Sequence, residues 1–198
     1  MTLRPYYDDM SWLPAGEVLV CGAGGPYNGE VGEEIQFTGT ATGGTPPYTW
    51  TWTFGDGGTA TTQNPKHAYT APGVFNVTLT VTDNASATAS AETYATITQP
   101  QPVIEIGDIT GGLFKVKAVI KNTGTAAATD VSWSIKLSGG IVLLGKETTG
   151  SIATLAAGGE ETVTSKLILG FWKTTITVTA GTATKDQAAT ILLVFIKI

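Results

Sequence analysis

The sequence predicts an all-β protein built as two tandem β-sandwich domains. Three observations predict it. Threonine makes up about one residue in six, far above ordinary usage, and its β-branched side chain favours strands. Apolar and polar residues alternate in many short runs, the period of a strand with one buried face. Turn residues, drawn from Gly 25 and Pro 9, separate these runs at regular intervals. No amphipathic helix of useful length is present, and "TLAAGGEE" offers at most one short turn.

The elements follow in order. "EVLVCGAGG" gives a first strand, and "EEIQFTGTATGG" a second with Ile35 and Phe37 on one face. Tyr48, Trp50, Trp52 and Phe54 share the next face, opposite Thr49, Thr51 and Thr53. Gly55-Asp56-Gly57-Gly58 then forms a turn, since Asp-Gly accepts the positive φ of tight hairpins. Phe75, Val77, Leu79 and Val81 alternate with Asn76, Thr78, Thr80 and Thr82. Beyond "TITQPQPVIEI", Phe114, Val116, Ala118 and Ile120 form a face, as do Val131, Trp133, Ile135 and Leu137, and Thr174, Ile176 and Val178. Pro100 and Pro102 favour an extended linker. The expected organisation is an arm over 1–16, a sandwich over 17–98, a linker over 99–102 and a second sandwich over 103–198. Each sandwich has the usual size for that architecture, and two in series make a rod.

Residues Ala23 to Asn84 resemble a polycystic kidney disease (PKD) repeat. The likeness rests on Gly24-Gly25-Pro26-Tyr27, Trp52-x-Phe54-Gly55-Asp56-Gly57, Asn64-Pro65-x-His67-x-Tyr69, Pro72-Gly73 and Val81-Thr82-Asp83, in that order. The resemblance spans about residues 17–98. It implies an immunoglobulin-like sandwich of the kind found in extracellular spacer and adhesive modules. It also implies that Trp50, Trp52 and Phe54 face a core, the alternative being an open platform for a ligand. Two positions depart from the family: Gly22 stands where Asp is common, and Phe75 where Tyr is common. The segment 103–198 resembles CARDB-like (cell-adhesion-related) immunoglobulin-like domains, through "FKVKAVIKNTGTAAATDVSWSIKL" with Asn122-Thr123-Gly124 and Trp133. Such domains are usually non-catalytic.

Charge and composition exclude several functions. A net charge of −5, with Lys+Arg 11 against Asp+Glu 16, leaves no basic face for nucleic acid. No apolar run is long enough to span a membrane as a helix. "MTLRPYYDDMSWLP" lacks a signal core, so secretion information has either been removed or was never present. One Cys excludes an internal disulfide. One Cys and one His supply no zinc set, and Asp8-Asp9, Glu33-Glu34, Asp56 and Asp83 lack calcium-loop spacing. Cys21 with His67 is the only thiol–imidazole pair available; the PKD resemblance makes the first a small core residue and the second part of the structural His-x-Tyr. No cofactor and no catalytic activity are expected.

Asn76 and Asn84 head glycosylation sequons, Asn76 on an outward strand position and Asn84 in a turn. The threonine columns are strand surface or O-glycan acceptors. Ile191 to Ile196 is apolar on both faces, including Leu193 and Phe195, and a strand of that kind needs cover on both sides: a neighbouring domain or loop, or another copy. The arm carries Leu3, Tyr6, Tyr7, Met10, Trp12 and Leu13, and an apolar terminus needs something to hold it. These features point to a non-enzymatic extracellular or cell-surface structural protein, a fibre, sheath or stalk subunit. Head-to-tail self-association into a homopolymer by β-strand addition is expected, with Leu3, Tyr6, Tyr7 and Trp12 as donor anchors and Ile191, Leu193 and Phe195 walling the acceptor. The alternative is an adhesive or carbohydrate-binding accessory module of a secreted protein.

Overall fold

The computed structural model describes residues 17–193 and 195–198, and the side chains of Leu193 and Phe195 lie outside that description. The described residues form strands and turns without a helix, in two compact units that part between Gln99 and Pro100.

The first unit holds β1 (Val20–Gly22), β2 (Tyr27–Glu30), β3 (Ile35–Gln36), β4 (Thr40–Thr42), β5 (Thr49–Thr53), β6 (Thr59–Ala60), β7 (Lys66–His67), β8 (Gly73–Thr82) and β9 (Thr88–Thr98). Its main sheet runs β2-β9-β8-β5-β6, with β1-β4 and β3-β7 as two-stranded pairs. β2 and β9 are parallel, and the other pairs are antiparallel. The period-two pattern of β8 puts Val77, Leu79 and Val81 inside, and Trp52 lies opposite Leu79 on β5. Those side chains meet Phe37, Phe54, Tyr69 and Ile97 in one core.

The second unit holds β10 (Ile104–Gly111), β11 (Val116–Asn122), β12 (Ala128–Ser138), β13 (Ile141–Leu144), β14 (Glu147–Leu155), β15 (Glu160–Thr164), β16 (Leu169–Ala180), β17 (Ala183–Leu193) and β18 (Phe195–Lys197). A three-stranded sheet, β10-β11-β15, faces a six-stranded one, β14-β12-β16-β17-β18, in which β13 also pairs with β16. Val116, Ala118 and Ile120 from the first pack with Ile135, Leu137, Ile176, Val178 and Ile191 from the second. This is a two-layer sandwich with an alternating inner face on each sheet.

The apolar run at the end of the chain departs from expectation. It is not one strand with two apolar faces. The chain reverses, so that Ile191 pairs with Ile196 and Leu192 with Phe195 across β17 and β18. Ile191 and Ile196 are buried in the unit's own core, while Leu192 is exposed. Ile191 is therefore a core residue, and its side chain offers no wall to a second copy.

Candidate functional site

The Trp52 to Tyr69 motif builds a closed hub. Trp52 and Phe54 are fully buried, so neither ring has the open face that a ligand platform needs. The Trp52 indole N–H donates to the carbonyl of Thr62 at 3.1 Å. Beyond Phe54 the chain turns back sharply, and the Phe54 N–H donates to the Gly58 carbonyl at 3.1 Å. Gly55 has φ +81°, and a Cβ there would come within 2.6 Å of the Asn76 carbonyl oxygen. Only glycine suits both constraints.

Asp56 ties this turn to β7. Its Oδ1 accepts the Gly58 N–H at 2.9 Å, and its Oδ2 lies 2.8 Å from His67 Nε2. The His67 ring stacks on Phe54 with centroids 4.1 Å apart and meets Tyr69 edge-on at 4.7 Å. The Tyr69 hydroxyl donates to the Phe54 carbonyl at 3.1 Å. Burial pushes the Asp56 carboxyl up, but the Gly58 N–H and His67 outweigh it and hold the group below the usual carboxylate range. Tyr69 is pushed up to about 12, by burial first and the Asp56 charge second. Asp56 is thus ionised and Tyr69 protonated at neutral pH, and both are engaged in holding the turn. Cys21 sits on β1 opposite Ala41, and burial raises its thiol above the ordinary value. The partner of His67 is Asp56 rather than a nucleophile.

Asp83 performs a similar task at the β8–β9 turn. The residue is buried; its Oδ2 accepts the Thr45 N–H at 2.7 Å, and its Oδ1 accepts those of Ala85 and Ala87 at 2.9 and 2.8 Å. The Thr45 bond contributes most to holding its pKa below the ordinary value. Two depressed carboxylates give a definite sign. Their stabilisation is complete above the unfolded-state value of about 4 and is lost as pH falls through the lower folded values. Thermal unfolding of the first unit should therefore weaken steeply in acid. Asp83→Asn should be less stable at pH 7 and show a shallower acid fall; an acid profile identical to the parent's would contradict this.

The second unit has its own polar hub at Asn122, which is fully buried. Its Nδ2 donates to the carbonyls of Ala126, Leu155 and Ala156 at 2.8, 3.0 and 3.2 Å. Its Oδ1 accepts the N–H groups of Val103 and Gly124, both at 3.1 Å. The Asn-Thr-Gly signal in the sequence marks this junction of β11 with the β14–β15 turn and the segment before β10. Spacing alone does not reveal that one side chain serves five backbone groups.

Both sequon asparagines are exposed: Asn76 on β8 opposite Tyr94, and Asn84 in the turn that Asp83 organises. Leu3, Tyr6, Tyr7 and Trp12 lie outside the described residues, as do the side chains of Leu193 and Phe195. Among the described residues no group of three or more His, Cys, Asp or Glu side chains is placed to hold a metal ion, and no helix is long and apolar enough to cross a membrane.

The least expected surface lies at one end of the six-stranded sheet. Along most of its outer face the cross-strand rows are polar: Ser134–Thr179–Thr184 and Lys136–Thr177–Asp186. At the end of β16 the face turns apolar, with Ile141, Phe171 and Leu192 directly opposite one another on three strands, all exposed. Trp172 is the sharper departure. The face that carries buried Thr174, Ile176 and Val178 would take it inward, yet it is 71% exposed, with φ +84°. A bulky residue in that region is a strained outlier. Period-two reading cannot detect it, because it assumes regular strand dihedrals.

Residues 20–98 match the PKD domain family. The first unit is a PKD domain. Over 77 residues the chain is 42% identical to collagenase ColA of Bacillus cereus (strain ATCC 14579), covering 38% of this chain and 8% of that protein. Collagenase ColQ1 of Bacillus cereus (strain Q1) is 40% identical over 75 residues, 37% of this chain and again 8% of the relative. The chain thus spans a small fraction of these relatives' length. Among solved structures, the fibronectin(III)-like modules of Clostridium thermocellum CbhA align over 87% of this chain and 93% of theirs, with 15% identity and a TM-score of 0.36. Trp52, Phe54, Gly55, Asp56, His67 and Tyr69 make the contacts of the hub described above, and Gly57 contributes a positive φ of 96° to its turn.

Proposed function

We propose that this chain is a non-catalytic structural protein of the extracellular space or cell surface, whose copies associate head to tail into a fibre, sheath or stalk. The observation that carries the reading is the apolar end of the second unit: contiguous exposed apolar surface marks an interaction site, and this one interrupts a threonine-covered face. Charge supports a polar, head-to-tail contact. Residues 1–99 hold nine acids and two bases (net −7), and residues 100–198 hold seven acids and nine bases (net +2). Opposite net charges on the two halves favour unlike ends meeting. The PKD domain suits a spacer, since its motif residues Asp56, His67 and Tyr69, with Asp83, are engaged in holding its own turns. Negative-stain electron microscopy of the full chain tests this: filaments are expected, and isolated particles at every concentration would contradict it.

A second reading has its own observation. The collagenase relatives carry this domain as a small part of a large protein, so the pair of sandwiches also fits an adhesive or carbohydrate-binding accessory module. A monomeric chain that binds a polysaccharide or a matrix protein is the outcome that favours it. The division into an arm (1–16), a PKD sandwich (17–98), a linker (99–102) and a CARDB-like sandwich (103–198) is part of the same proposal. So is glycosylation at Asn76 and Asn84, whose exposure leaves both amides accessible. Native material should then exceed 20.5 kDa by intact mass, with the excess on peptides containing Asn76 or Asn84; a native mass equal to the bare chain would exclude it.

A further inference from the structure

We propose that β13 is the acceptor edge for an extended segment, residues 2–13, supplied by a second copy of the chain. This rests on the head-to-tail reading above and specifies where the contact forms.

An edge strand exposes unpaired N–H and C=O groups, and proteins shield such edges with charge, bulges or covering chain. β10, β15 and β18 of the second unit are shielded in these ways. β10 is broken by a register shift between Ile106 and Ile109, and Lys185 donates to the Gly107 carbonyl at 2.6 Å. β15 carries Glu160 and Glu161. On β18 the Ile196 N–H donates to the Gly112 carbonyl at 3.1 Å. β13 has a register shift of its own, between Val142 and Leu144 in its pairing with β16, but it carries no charged residue. It pairs with β16 and, among the described residues, with no strand on its other side. Its sequence is Ile-Val-Leu-Leu, with Ile141 55% and Leu143 61% exposed.

The surroundings suit an added strand. Ile141 opens the row that continues through Phe171 to Leu192. A shallow groove of about 650 Å³ lies beside it, lined by Gly140, Ile141, Trp172, Lys173 and Thr190. A smaller one on the same strand includes Lys146. Extended peptides dock on such edges through backbone hydrogen bonds, and alternate side chains enter pockets.

The occupant is argued from the chain itself. Residues 2–13 contain Leu3, Tyr6, Tyr7, Met10, Trp12 and Leu13, and one acidic pair, Asp8-Asp9. Pro5 has no N–H, so the pairing stretch begins at Tyr6. In an extended segment Tyr6, Asp8, Met10 and Trp12 fall on one side. That places three apolar anchors for the row and a carboxylate for Lys173 or Lys146. Fully extended, twelve residues reach about 40 Å, at roughly 3.3 Å each, ample for a four-residue edge with length to spare for the link back to residue 17. Giving away this arm removes no strand from either described unit.

The test uses the full chain, its Leu143→Lys variant and a fluorescent synthetic peptide of residues 2–13. Leu143 is exposed, so the variant should melt like the parent. The expected result is saturable peptide binding to the parent, at least tenfold weaker binding to Leu143→Lys, and break-up of parent assemblies by excess unlabelled peptide but not by a scrambled one. Assembly that persists unchanged in Leu143→Lys and under excess peptide overturns the β13 site while leaving head-to-tail association intact. A monomeric parent that binds no peptide overturns both. A monomeric parent that instead co-sediments with anionic phospholipid vesicles, with loss in Leu143→Lys, overturns the proposal in favour of a lipid surface.

Discussion

Trp52→Ala is expected to destabilise the PKD domain by about 3–5 kcal/mol, the range for large aromatic truncations in cores. Trp52 is fully buried opposite Leu79, and its ring lies near those of Phe37 and Phe54. Truncation opens a cavity among these rings and removes the donor that satisfies the Thr62 carbonyl. A domain of this size has a stability of about 5–15 kcal/mol, so the loss is a large share of the total. Calorimetry of the full chain should show the first domain's transition shifted sharply down while the second persists. An unchanged thermogram, with a binding activity lost instead, would show that the aromatic run serves a ligand and not the core.

Asn122→Leu should be comparably damaging in the second unit, by about 3 kcal/mol or more, because each buried group left without a partner costs roughly 1–3 kcal/mol. Two N–H groups and three carbonyls lose their shared partner at once. Asn122→Asp separates hydrogen bonding from shape: it keeps the acceptor for Val103 and Gly124 but turns an anionic oxygen toward three carbonyls. It should therefore not rescue stability. Urea unfolding of the full chain, followed by a probe of the second unit, measures both variants; an Asp variant as stable as the parent would contradict the assigned network.

Much of this architecture is legible in the sequence, and the reason is periodicity. Strands β5 and β8, and β16 from Thr174 onward, alternate cleanly, so Trp52, Leu79, Val81, Ile176 and Val178 are identifiable as inward residues without coordinates. The motif from Trp52 to Tyr69 is legible as structural through its PKD resemblance, and its Gly55 to Gly58 turn is legible from Asp-Gly chemistry alone. What alternation cannot supply is anything set by dihedral sign or by chain reversal. The run Ile191 to Ile196 has no period, and its reversal between β17 and β18 takes Ile191 into the core. Trp172 is turned outward by a positive φ that no spacing announces. Asn122 stands out as a motif residue, but its five backbone partners come from three separate segments of the second unit. The exposed edge at β13 is equally hidden, because four apolar residues in a row, Ile141 to Leu144, have no period that separates an edge strand from a core strand.

The central claim is that copies of this chain meet through unlike ends. A repeated contact of that kind grows without limit when its rotation does not close a ring, whereas a symmetric contact stops at a dimer. Sedimentation velocity of the full chain across a wide concentration range tests it most directly. The account predicts a weight-average sedimentation coefficient that keeps rising with concentration and falls back when salt is added. A single species of 20.5 kDa at all concentrations, or a plateau at twice that mass, would contradict it.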